Sequence, residues 1–131
     1  MIVIKFVNVG DVIAMHRRTM EYYGGLDGMR DMASLQSAVN RPVNIHNYNN
    51  KLSDIYDLAA ALSFGIMQNH PFNDGNKRSG LLAGLLILER NGKTIGKLQT
   101  EQWYAIVIGL ATHKVSEQQF AGWLRKIFEV I

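Results

Sequence analysis

Leu58–Met67 and Leu81–Leu88 are apolar on nearly every side, and this constrains the fold more than any other feature of the sequence. A helix that is hydrophobic all round belongs in the middle of a fold. Two such helices, with only Gln68, Asn69 and the run His70-Pro71-Phe72-Asn73-Asp74-Gly75-Asn76-Lys77-Arg78-Ser79-Gly80 between them, predict a buried central pair that meets at one polar loop. A buried scaffold that presents a polar loop is how folds position chemistry.

The loop can be taken residue by residue. Pro71 fixes its own φ and biases His70 away from helical geometry, so the first central helix should end near Asn69. Histidine exchanges a proton near neutral pH, which makes His70 a candidate general base. Phe72 is the one large apolar group of the run and should anchor it in the core. Asp74 is a hard oxygen ligand of the kind that holds Mg²⁺ jointly with phosphates. Gly75 permits a tight turn or a close backbone approach. Asn76, Lys77 and Arg78 fall where the second helix starts, and the free N–H groups there already form an anion site. Lys and Arg added to that site point to a phosphate-rich ligand. Each residue alone has an ordinary explanation, because His-Pro and Asp-Gly are common connectors and Lys-Arg is a common solvated face. The case rests on a base, a metal-type carboxylate, a glycine and three phosphate donors lying together at one helix start.

The rest of the chain reads mostly as helix. Ile2–Val7 is expected to be a small strand or an extended arm. Asn8 or Asp11 can cap a helix to Tyr22, ended by Gly24-Gly25, with Val12, Ile13, Met15, Met20 and Tyr23 inward and His16-Arg17-Arg18 on a solvated face. Asp31 can cap a short helix over 32–40, stopped by Pro42. Ser53 or Asp54 caps the first central helix, in which Gly65 should mark close packing. Lys93–Lys97 reads as an extended link. Thr100 caps a helix to about Thr112, and Ser116-Glu117-Gln118-Gln119 is a capping box for the last one. With 131 residues and 47% hydrophobic composition, one domain with one core is expected. The net charge of +3 is spread over the chain, without a basic stripe interleaved with aromatics, so direct nucleic-acid binding is not expected. There is no cysteine, which excludes disulfides and thiolate metal sites. No apolar run suits a signal peptide or a bilayer span, and the expected location is cytoplasmic, with no membrane partner.

The run His70-x-Phe72-x-Asp74-Gly75-Asn76-Lys77-Arg78 resembles the signature of Fic-domain proteins, and its Asn-Lys-Arg ending resembles the Doc (death-on-curing) branch. Tyr23-Gly24-Gly25-Leu26 with Gly28, and Leu35–Pro42, extend the likeness over most of the chain, and the resemblance implies that the Leu26–Arg30 loop lies close to the site. The resemblance implies an all-α Fic fold. With the segments above it gives a bundle of about six helices and a short irregular β-hairpin flap. That flap would be Val43, Asn44, Ile45, His46, Asn47 and Tyr48, aligning a target segment by strand addition. The implied cofactors are ATP and Mg²⁺. His70 would be the catalytic base, Asp74 the metal ligand, and Gly75, Asn76, Lys77 and Arg78 the phosphate site, with Phe72 as structural anchor.

In the adenylylating Fic branch a glycine replaces Lys77, and an arginine stands where this chain has Leu81. A lysine fills space that a small residue leaves open to the α-phosphate, and it suits terminal phosphates. Doc-like nucleotides are thought to lie with the γ-phosphate toward the histidine, so phosphoryl transfer to a protein hydroxyl is the expected reaction. Transfer of AMP is the alternative, and Gly75, where Doc-like proteins more often carry alanine, leans toward it. A non-enzymatic module binding a nucleotide or partner is the third reading. No Ser/Thr-x-x-x-Glu-Gly/Asn self-inhibitory pattern is present, which implies control in trans by a Phd-like antitoxin. The family-typical target is a translation elongation factor, elongation factor Tu among them.

Overall fold

The structure is a computed structural model and describes residues 3–49, 53–94 and 100–129. Six helices follow in order: α1 (Val9–Tyr23), α2 (Met32–Asn49), α3 (Ile55–Asn69), α4 (Asn76–Arg90), α5 (Thr100–Ala111) and α6 (Glu117–Glu129). The all-α expectation holds. Among the described residues, no helix is long and apolar enough to cross a membrane.

The all-round apolar helix is the hub. Leu58, Ala59, Ala60, Ala61, Leu62 and Ile66 of α3 are fully buried, and α3 packs on α2, α4, α5 and α6. Small residues set the close approaches. A Cβ on Gly65 would stand 3.2 Å from Ala38 of α2, and one on Gly80 would stand 2.9 Å from the Ser63 carbonyl. The sequence expected tight packing at Gly65, and it is there.

The helix starts follow local rules. Asn8 and Asp11 form a reciprocal capping box at α1, and Asp54 and Asp57 form another at α3. Ser116 and Gln119 close the same motif at α6, at 3.0 and 2.8 Å. Residues 3–7 form neither helix nor strand and are tied to the end of α4. Asn91 exchanges hydrogen bonds with both backbone groups of Lys5, each at 2.9 Å, and Arg90 donates to the Phe6 carbonyl. The expected link around Ile95 falls outside the described residues.

The expectations for residues 42–48 are overturned. Pro42 does not stop α2, and Val43–Tyr48 is not a hairpin: the helix runs through Pro42 to Asn49. Proline in a helix interior removes a hydrogen bond and costs roughly 3 kcal/mol, so tertiary contacts must hold this helix. Pro42 is itself fully buried. Arg41 donates to the Ala61 carbonyl at 3.1 Å and pairs with Glu117 at 2.5 Å. Ile45 packs on the core.

Candidate active site

The loop opens on a residue in an uncommon conformation. His70 caps α3 with φ 48° and ψ 57°, a left-handed geometry that non-glycine residues rarely adopt. Arg30 fixes the backbone there, since its Nε and Nη2 donate to the carbonyls of His70 and Asn69 at 2.5 and 2.7 Å. The His70 side chain is left exposed to solvent.

The chain between α1 and α2 forms the wall beside the loop. Met29 and Phe72 make an antiparallel bridge. Arg30 and Asp31 both donate to the Pro71 carbonyl, and Asn73 donates to the Gly28 carbonyl at 3.1 Å. Phe72 is buried to 2% exposure, as its anchoring role requires. His16 of α1 stacks on it with centroids 3.8 Å apart and rings nearly parallel.

Asp74 is exposed but held at three atoms. Oδ2 accepts from the Leu26 N–H at 3.2 Å, Oδ1 from the Gly75 N–H at 2.8 Å, and the main-chain oxygen lies 2.8 Å from His16 Nε2. A carbonyl only accepts, so Nε2 carries the hydrogen. The Leu26 and Gly75 N–H groups, with Arg78 nearby, hold the Asp74 carboxyl below the usual carboxylate range. Gly25 makes room for this arrangement: its φ is +125°, and a Cβ would stand 2.7 Å from Asp74 Oδ2.

Gly75 sits at φ 77° and ψ 17°, and α4 begins after it with no side-chain cap. A Cβ there would run into Met20 Cε. Without a capping side chain, the first-turn N–H groups are available to an anion. Lys77 and Arg78 are exposed beside them, and the Arg78 guanidinium lies 4.0 Å from the centroid of the Tyr23 ring. Tyr23, expected inward, is instead 61% exposed, because it is the last residue of α1 and its ring turns to that cation rather than to the core.

Asn76 has a second task that its residue type did not reveal. Its carboxamide accepts from the Phe72 N–H and donates to the Phe72 carbonyl, both at 3.0 Å. It therefore closes the loop, and its backbone N–H and second amide hydrogen remain for a phosphate. No hydrogen bond, ion pair or aromatic pair among the described residues joins Val43–Tyr48 to the loop. His46 meets Phe6 at 5.8 Å, and Ile45 lines a cavity of about 460 Å³ with Arg41, Asp57 and Glu117. That cavity, and another of about 470 Å³ along Leu82, Leu85 and Leu86, include no loop residue.

His16 is the correction on the other side. Arg17 and Arg18 are solvated as expected, but His16 is buried at 3% exposure. The signal was its spacing, because Val12, His16, Thr19 and Met20 form one helical stripe and all are buried. Arg30 had no comparable signal in the sequence.

The donor set fits Mg²⁺ shared with phosphates rather than a caged ion. Among the described residues no cluster of three or more His, Cys, Asp or Glu could hold a metal. One ionised, solvent-facing carboxylate beside an uncapped helix start is what such sharing needs.

Comparison with known proteins shows the family. A sequence profile described as the Fic/DOC family matches residues 6–88, well over half of the chain. The chain is also 28% identical over 124 residues to the "Protein kinase doc" of Escherichia phage P1, covering 95% of this chain and 96% of that protein.

Proposed function

Because the chain belongs to the Fic/DOC family, we propose that it is a Doc-like toxin that transfers the γ-phosphate of ATP to a hydroxyl of a target protein. The observation that carries this reading is the pairing of an exposed His70 with an exposed, ionised Asp74 at the uncapped start of α4. The relative is named a protein kinase, which supports the same reading.

In this reading His70 takes the proton of the target hydroxyl. The hydroxyl oxygen bonds to the γ-phosphorus, the bond from that phosphorus to the β–γ bridging oxygen breaks, and ADP leaves. Asp74 would hold Mg²⁺, which supplies charge neutralisation on the phosphates when bound. The first-turn N–H groups of α4, with Lys77 and Arg78, bind and orient those phosphates. Positioning and electrostatics make up most of phosphoryl-transfer catalysis, so no further nucleophile is needed. A Phd-like antitoxin is the proposed restraint, and a translation elongation factor such as elongation factor Tu the proposed target.

AMP transfer is the second reading, and Gly75 favours it. Lys77 and Leu81 oppose it: Leu81 packs against the core, so the second turn of α4 presents no cation at that position. ATP labelled at the α- or the γ-phosphate decides between the two. Phosphoryl transfer moves only the γ-label to protein, and an α-label on the target would reject it.

A further inference from the structure

We infer that His16 is a positioning residue that fixes Asp74 for cation binding; this rests on the reading of Asp74 as the magnesium ligand. A buried histidine is most often a satisfied core group. Three observations set this one apart. It is 3% exposed, yet its Nε2 hydrogen goes to the main-chain oxygen of the loop's acid, 2.8 Å away. Its ring lies flat on Phe72 at 3.8 Å, the anchor two residues earlier. Met20, one turn further along the same stripe, fills the space where a side chain on residue 75 would go. The loop is thus seated on α1 at Phe72, Asp74 and Gly75.

The consequence is geometric. The Leu26 and Gly75 N–H groups fix the two carboxylate oxygens of Asp74, and His16 fixes its carbonyl. With all three held, the residue can turn about neither its side-chain torsion nor its adjoining peptide plane. The lone pairs not taken by those donors then keep one direction. Removing the Nε2 hydrogen leaves the carbonyl without a partner, and the carboxylate loses its fixed origin while the ring stack can persist. Groups that orient a metal ligand without touching the metal typically change metal affinity by about 10- to 100-fold.

His16→Phe keeps the stack on Phe72 and removes the donor. His16→Gln returns an N–H at a similar reach. Calorimetric titration of the purified protein with ATP, with and without Mg²⁺, separates the roles. For His16→Phe the expected result is an affinity for Mg²⁺-ATP reduced about tenfold, unchanged affinity for metal-free ATP, and recovery to within about threefold in His16→Gln. In the ligand-free protein, hydrogen exchange at the Leu26 and Gly75 amides should quicken in His16→Phe alone. Equal weakening with and without Mg²⁺, or no weakening, would overturn the inference and leave His16 as packing only. Should His16→Phe not fold, His16→Asn replaces it, being polar but too short to reach the carbonyl. Asp74→Asn keeps the two failures apart: if the wild type shows no gain from Mg²⁺ that Asp74→Asn removes, the metal reading itself is what fails.

Discussion

His70 and Asp74 sit four residues apart and are restrained in opposite ways. The backbone of His70 is pinned by Arg30 while its imidazole is exposed, whereas Asp74 is gripped at its carboxylate as well as its backbone. A base must reach a moving substrate, and a metal ligand must stay still. His70→Ala is therefore expected to lower transfer by roughly 10²–10⁴-fold with little change in Tm, read from label transfer and a thermal melt. Gly25→Ala makes the converse test. Its φ of +125° and the 2.7 Å approach to Asp74 Oδ2 mean that a methyl group displaces the carboxylate. Mg²⁺-dependent ATP binding should weaken while the helical content by circular dichroism is retained. The loop's chemistry was legible because proline, glycine and charged residues act on their immediate neighbours. The closure of the loop by Asn76 and the seat on His16 were not, since each depends on which backbone group another element presents.

Among the helices, what local sequence could announce was announced. The capping boxes at Asn8, Asp54 and Ser116 need only residues three apart. Pro42 misled because the forces that carry α2 past it come from α3 and α6. Asp54 joins both kinds of force: it caps α3 and accepts from Arg125 of α6 at 2.8 and 2.9 Å. Asp54→Ala should cost about 1 kcal/mol, mainly through the cap, because both partners of the ion pair are more than a third exposed. Burial pushes the Asp54 carboxyl up, but the Arg125 guanidinium and the Asp57 N–H outweigh it, so it ends below its ordinary 3.8. A carboxyl with a lowered folded pKa stabilises above its unfolded value and loses that contribution as pH falls through the folded one. Melts of wild type and Asp54→Ala should differ at pH 7 and converge as the pH is taken below about 4.

For the molecule as a whole, the design is a sealed hub with its chemistry at one end. Leu62 is fully buried at the centre of α3, away from the loop end of that helix, so Leu62→Ala should cost about 2–5 kcal/mol in denaturant unfolding while leaving transfer per folded molecule unchanged. That the two apolar stretches would be central was legible from periodicity alone, because burial on all sides leaves no polar face to hide. That the segment after α1 would wall the site was foreseen only as proximity. Apart from those of the Arg30 guanidinium, its hydrogen bonds to the loop come from backbone groups, which carry no side-chain signature. Intact-mass spectrometry of proteins from a translation extract supplied with Mg²⁺-ATP tests the central claim most directly. The predicted result is one host protein heavier by about 80 Da, the mass of a transferred phosphoryl group, with the wild type and not with His70→Ala. An adduct of about 329 Da, the mass of AMP, or an undiminished phosphate adduct with His70→Ala, would contradict it.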